Sequence, residues 1–255
     1  MKFFFLLTLF ISCKFTHSPY QVGQQKLLQN ETNLSTILRD QALTGPDFKI
    51  AFLSDTHNYY EDLRDLVKTV NNNGPYSFVI VTGDLTNHGL LEEYQKTKEL
   101  LNDLNFPYLV VVGNHDLLSN GDKIFEKMYG KTDFNLTYKD IEFIIFNNNN
   151  WESGGVIPNT VFVAAALVAS AAPFKILVSH VSLGDADRFS PAQVQSWENL
   201  VSVHGVDYVF NGHNHNPEET DFSSAKHITV GSPNKRVYFE LIMNSGGLTH
   251  KKITF

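Results

Sequence analysis

From residue 48 onward, apolar positions follow two alternating rhythms. Residues 49–53 (Lys-Ile-Ala-Phe-Leu) are a short apolar run that closes on Ser54-Asp55, and residues 77–81 repeat the form, closing on Gly83-Asp84. Runs of this length, bounded by small and polar residues, predict buried strands. Between them Leu63, Leu66, Val67 and Val70 share one face of a helix predicted over residues 59–70, and a second amphipathic helix is predicted over 90–104. A third strand, 107–112, closes on Gly113-Asn114. Strands are also predicted at 134–138, 141–146, 174–178 (closing on Ser179-His180) and 207–210 (closing on Asn211-Gly212-His213). An Ala-rich helix is predicted near 160–170 and another over 191–203, where Pro191 suits a first turn. Residues 226–230, 236–243 and 249–255 read as closing strands. The βαβαβ order implies an α/β fold, with sheet covered by helices.

Before residue 48 this rhythm is missing. Met1-Lys2 precedes an apolar run at 3–11. A bilayer-spanning helix takes about 20 residues, so the run has the size of a signal-peptide core instead. Residues 1–12 are therefore expected to be a signal peptide. Cys13 follows Ser12 in a segment that resembles the lipobox of bacterial lipoproteins, which implies lipidation at Cys13, export and membrane anchoring at the periplasmic or cell surface. The alternative is an ordinary secretory peptide cut a few residues later. Residues 13–46 are polar and lack a sustained period, which predicts a tether, with a helical turn or two around 33–43.

Charge and cysteine content narrow the classes. There are 20 Lys and Arg against 27 Asp and Glu, for a formal net charge of −7, so no specific nucleic-acid binding is expected. A single cysteine excludes an internal disulfide framework and multi-thiolate metal sites. Candidate chemistry therefore rests on histidines and carboxylates.

These fall at strand ends, where open α/β sheets place their active crevices. The order is Asp55 and His57, Asp84, Asn114 and His115, His180, then His213 and His215. Residues i and i+2 of an extended or turning segment point the same way, so each Asp/His or His/His pair can serve one place. Gly83, Gly113 and Gly212 each precede a candidate. Mixed imidazole and carboxylate donors suit Mn, Fe or Zn. His88 stands open between substrate contact and surface. His17, His204, His227 and His250 read as surface or packing residues, and the Asn runs at 71–73 and 147–150 as loops.

Asp55-Thr56-His57, Gly83-Asp84, Gly113-Asn114-His115-Asp116, His180 and Gly212-His213-Asn214-His215, in this order, resemble the calcineurin-like metallophosphoesterase family. Within it they are similar to the branch containing bacterial cyclic-nucleotide phosphodiesterases. The resemblance implies a two-sheet β-sandwich flanked by helices over residues 47–255, and a site for two divalent or trivalent metal ions. One ion would take Asp55, His57, Asp84 and His215, and the other Asp84, Asn114, His180 and His213, with Asp84 bridging. It implies hydrolysis of a small phosphorylated substrate, a diester more than a monoester, by a hydroxide held between the ions. His115 would assist the leaving group. Asp116 would orient the His115 imidazole, or else cap a helix N-terminus. Two alternatives are a phosphomonoesterase of the same fold and a non-catalytic metal-binding surface lipoprotein. The loops at 147–158 and 185–190 are expected to contact substrate.

Overall fold

A computed structural model describes residues 18–155 and 158–255. The expected signal peptide, the expected lipidation of Cys13, and His17 lie outside the described residues. In chain order the elements are α1 (Gln29–Asp40), β1 (Phe48–Leu53), α2 (Tyr60–Asn73), β2 (Phe78–Val81), α3 (Leu91–Leu101), β3 (Tyr108–Val110), α4 (Gly121–Met128), β4 (Phe134–Tyr138) and β5 (Ile141–Ile145). There follow α5 (Thr160–Ala169), β6 (Phe174–Val178), α6 (Pro191–His204), β7 (Tyr208–Asn211), β8 (Glu218–Phe222), β9 (Ala225–Thr229), β10 (Val237–Asn244) and β11 (Gly247–Thr254).

The strands form two sheets, ordered β11-β10-β1-β2-β3 and β4-β5-β6-β7-β9-β8. β1, β2 and β3 run parallel, as do β5, β6, β7 and β9. Parallel strands are covered on both faces, which is why β2 reads Phe-Val-Ile-Val without a polar break and is buried throughout. The period of two sorts the side chains into layers. Ile50 and Phe52 of β1 face the second sheet, in a core shared with Phe143, Ile145 and Phe210. Ala51 and Leu53 face outward onto Leu63, Leu66 and Val70 of α2. On the far side, Ile144, Leu177 and Val209 pack on Val163 and Leu167 of α5 and on Trp197 and Val201 of α6. The result is the expected sandwich of two sheets between helical layers.

The helical turns expected around 33–43 are present and begin earlier, taking in residues 29–40 of the expected tether. These form three turns of helix docked on the open edge of β3 rather than a free linker. Asn30 is the reason: its Nδ2 donates to the Val110 carbonyl (2.8 Å) while its Oδ1 accepts the Val110 N–H (2.9 Å). One turn on, Asn33 Nδ2 donates to the Tyr108 carbonyl (2.7 Å). Both amides are buried and substitute for a missing neighbour strand, which covers an edge that would otherwise invite pairing. Two further elements had no sequence prediction. α4 is short, with Ile124, Phe125 and Met128 turned inward, and β8 is exposed at four of its five positions.

Candidate metal centre

The parallel strands of both sheets end on one edge, and the polar residues gather there. β1, β2 and β3 deliver Asp55, His57, Asp84 and Asn114, while β6 and β7 deliver His180, His213 and His215. Main-chain bonds lash the loops together: Asp55 N–H donates to the Gly83 carbonyl (3.0 Å), His57 N–H to the Asp84 carbonyl (3.0 Å) and Gly212 N–H to the His180 carbonyl (2.9 Å).

Five of these seven residues have left-handed backbone: Asp55 (φ 48°), His57 (φ 41°), Asp84 (φ 55°), His213 (φ 71°) and His215 (φ 57°). Each such residue costs roughly 1–2 kcal/mol, a strain kept at functional sites when the surroundings fix it. The i, i+2 pairs therefore converge through left-handed turns, not through extended backbone. Close approach explains Gly113, where a Cβ would stand 2.1 Å from Asp84 Oδ1 and 2.2 Å from Asp84 N. It also explains Gly212, where a Cβ would stand 2.0 Å from Ser54 Oγ.

Donor atoms of Asp55, His57, Asp84 and His215 lie within 4.8 Å of one another, as do those of Asp84, His180 and His213. Asp84 belongs to both groups. Asn114 joins the second: its Oδ1 is 3.2 Å from His180 Nε2 and 3.0 Å from His213 Nδ1. Backbone carbonyls set the tautomers. His57 Nδ1 donates to the Thr86 carbonyl (2.9 Å) and His180 Nδ1 to the Thr82 carbonyl (2.8 Å), since a carbonyl can only accept. Both rings therefore aim Nε2 at the centre, the arrangement expected of metal-ligating histidines.

Two observations test whether cations fit. Asp55 Oδ2 is buried and has no hydrogen-bond partner. His57 Nε2 faces His215 Nε2 at 3.1 Å, an approach of two ring nitrogens that a shared cation would relieve. The donors are nitrogen and oxygen with no thiolate, so the residues fit two ions of the borderline class.

The electrostatics agree. Burial raises the Asp55 carboxyl to about 7. Burial also works against the Asp84 carboxylate, but His180 and His57 outweigh it and its pKa is lowered. For His180 burial opposes the charged form, yet Asp84 wins and raises the imidazole to about 9. Burial lowers His57 and His213 to about 4, and for His213 the positive charges of His180 and Arg188 push the same way. Two acids and four imidazoles in a dry cluster leave a charge problem that bound cations resolve.

His115 stands beside both groups, edge-on to His57 with ring centroids 4.9 Å apart. Its Nδ1 donates to the Asn87 carbonyl (2.7 Å), and its main-chain N–H to Asp84 Oδ1 (2.9 Å). The expectation for Asp116 needs correction, because the bonds described for its carboxylate all go elsewhere. The buried group accepts from the N–H of Gly113 (2.9 Å), Leu85 (3.2 Å) and Thr86 (3.1 Å) and from Thr86 Oγ1 (3.1 Å). Asp116 thus knots the Asp84 and Asn114 loops together, and the Asn87 carbonyl orients the imidazole. Nor does it cap a helix, since it lies inside the 3₁₀ turn His115–Leu117. Burial and the Asp84 charge raise its carboxyl to about 7.

Sequence reasoning missed the support behind His180. Asn211 Nδ2 donates to the Ser179 carbonyl (3.1 Å) and to Ser179 Oγ (2.7 Å), and His227 Nε2 donates to Asn211 Oδ1 (2.8 Å). His227 is therefore a packing residue with a partner, and burial lowers it to about 4. His88 is exposed and paired with Glu93 (3.1 Å). A cavity of about 900 Å³ is lined by residues between Leu117 and Asp133 and between Asn147 and Gly154, and by none of the candidate ligands.

Paired His/Asp clusters on one edge of a helix-flanked double sheet define a metallophosphoesterase fold and site. The chain belongs to the calcineurin-like phosphoesterase family, whose profile matches residues 48–217. It is 28% identical over 174 residues to the glycerophosphodiester phosphodiesterase of Enterobacter lignolyticus, covering 60% of each chain. It is 29% identical over 118 residues to the probable cyclic nucleotide phosphodiesterase of Xenorhabdus bovienii, covering 45% of this chain and 43% of that one. The chain thus spans about half the length of these curated relatives. The fold is similar to purple acid phosphatase PPD1 of yellow lupin (TM-score 0.64, 15% identity, 83% of this chain and 52% of that one). It is also similar to a dimetal phosphatase of Danio rerio (TM-score 0.63, 13% identity, 83% of this chain and 100% of that one).

Proposed function

We propose that the protein is a dinuclear metal-dependent phosphoesterase that hydrolyses phosphodiesters. The observation that carries this reading is the sharing of Asp84 between two ligand groups, with His115 held beside them by Asn87. Asp55, His57, Asp84 and His215 would hold one ion, and Asp84, Asn114, His180 and His213 the other, with Mn, Fe or Zn suiting these donors. When bound, such ions acidify water and steady charge on phosphoryl oxygens. The chain's own contribution is the proton. In its imidazolium form His115 keeps Nδ1–H on the Asn87 carbonyl and gives the Nε2 proton to the departing alcohol as the phosphorus–oxygen bond breaks. The incoming water makes the new phosphorus–oxygen bond, and one of its protons restores the acid. Diester preference is supported by the names of the curated relatives, which are phosphodiesterases. Export and lipid anchoring through Cys13 complete the reading, on the strength of the N-terminal pattern alone.

The test is release of nitrophenol by Mn²⁺-loaded protein. Faster release from bis(4-nitrophenyl) phosphate than from 4-nitrophenyl phosphate is expected. The reverse preference makes the protein a monoesterase, and no release from either leaves a metal-binding module.

A further inference from the structure

The segment after β5 is rooted at the metal centre. Asn148 Oδ1 accepts the Val181 N–H (3.0 Å) and Asn148 Nδ2 donates to Ser179 Oγ (3.1 Å), the two residues that flank His180. Asn149 Nδ2 donates to the carbonyl of Val112 (2.9 Å), two residues before Asn114. Both asparagines are buried. Trp151 follows two residues later, so its backbone lies within roughly 7 Å of that root at about 3.6 Å per extended residue.

Trp151 is 59% exposed, whereas the chain's other tryptophan, Trp197, is buried. Single exposed apolar residues are ordinary. What sets Trp151 apart is how it is held. The Arg188 guanidinium lies 4.3 Å from the centre of its ring. That guanidinium is nearly buried and bonds both carboxylate oxygens of Glu152 at 2.9 Å. Asn150 Nδ2 donates to the Arg188 carbonyl (2.7 Å), joining the loop after β5 to the loop after His180. Arg188 is thereby paired with Glu152 and turned to the indole. One indole face rests on this ion pair, while more than half of the residue's surface is open to solvent.

We propose that Trp151 is a specificity residue, a stacking platform for substrate alcohols that carry a flat aromatic ring, and that the Arg188–Glu152 pair is its positioning support. The proposal rests on the phosphoesterase reading for its reaction, but not for its binding. Stacking of a planar ring on an aromatic side chain is tolerant of ring identity, and its loss on alanine substitution corresponds to about 5- to 150-fold in binding. The platform therefore selects for flatness rather than for a pattern of donors and acceptors.

The test compares two diesters on the Mn²⁺-loaded full chain, adenosine 5′-(methyl phosphate) and glycerophosphoethanolamine. In Trp151→Ala the ratio of kcat/KM for the adenosine diester over the glycerol diester should fall about 5- to 150-fold, mostly through KM. Trp151→Phe should restore most of the ratio, and Glu152→Ala should lower it partway. An unchanged ratio in a folded Trp151→Ala variant overturns the proposal. Binding is read separately by titrating AMP and following tryptophan fluorescence. Quenching in the wild type that vanishes in Trp151→Ala supports the platform even if neither diester is hydrolysed, an outcome that would sink the functional reading alone. Absence of quenching in the wild type counts against the platform.

Discussion

Phe52 of β1 and Phe210 of β7 stack across the gap between the two sheets, with ring centroids 3.7 Å apart and planes 10° apart. Each precedes a candidate ligand by three residues, Asp55 in one sheet and His213 in the other. On the same seam, His213 N–H donates to Asp55 Oδ1 (3.0 Å). A contact between the two sheets therefore stands directly beneath the bond that joins the two halves of the centre. Phe210→Ala should cost about 3–5 kcal/mol of stability, the usual loss for a buried phenylalanine. Urea unfolding of the metal-free protein measures it. A variant with wild-type midpoint and slope would mean that the sheets are held apart by something else.

Asn30 is the corresponding test for the N-terminal helix. Its amide makes two bonds to Val110 on the open edge of β3. Asn30→Leu removes both and strands a buried N–H and a carbonyl, which should cost about 1–3 kcal/mol per unsatisfied group. The uncovered edge should also promote self-association, read as a concentration-dependent shift in size-exclusion chromatography. A free linker would show neither effect.

The strands were legible because they are parallel and doubly buried, so β1, β2 and β6 stand out as apolar runs. The ligands were legible because those runs stop on polar residues. Other features leave no such trace. The positive φ of Asp55 and His213 is a backbone property, and the residues that show it are enriched there only statistically. The acceptors that orient His57, His180 and His115 are main-chain carbonyls of Thr86, Thr82 and Asn87, and any residue type supplies a carbonyl. Asp116 sits in the family pattern next to His115, yet its bonds go to the other side of the loop. The helix at 29–40 was legible only in part, as a turn or two around 33–43, because its two buried asparagines read as polar although they work as edge cover.

Asp84 is the one carboxylate common to both ligand groups. Asp84→Asn keeps the volume and removes the charge that both ions would share. Metal content measured by emission spectroscopy should fall from two ions per chain to one or fewer. Turnover should fall about a thousandfold, in line with the several kcal/mol that such ions contribute. His57→Ala removes a ligand from one group only and should leave one ion bound. Two ions retained in Asp84→Asn would show that the groups do not share a bridge.

Proton and metal should compete for His180. In metal-free protein Asp84, 3.2 Å away, raises this imidazole to about 9 despite its burial. Nδ1 is committed to the Thr82 carbonyl, so the extra proton sits on Nε2, the atom aimed at the other ligands. Below pH 9 that proton must leave before the nitrogen can serve as a ligand. Apparent affinity should therefore rise about tenfold per pH unit up to about 9 and then level off. Asp55, raised to about 7, adds a second proton and a steeper dependence below that pH. His57 and His213, lowered to about 4, are already neutral between pH 5 and 9 and add nothing there. The stability of the metal-free protein runs the other way. A raised histidine pKa stabilises fully below the unfolded value of about 6.5, and that contribution fades as pH rises through about 9. Calorimetric titration with Mn²⁺ in two buffers of different ionisation enthalpy counts the protons. At pH 8 the wild type should release about one proton per chain more than His180→Gln, beyond any proton lost by metal-held water, and wild-type release should be larger near pH 6.5. Equal release by the two at pH 8 would mean that the His180–Asp84 pair is not charged in the free protein.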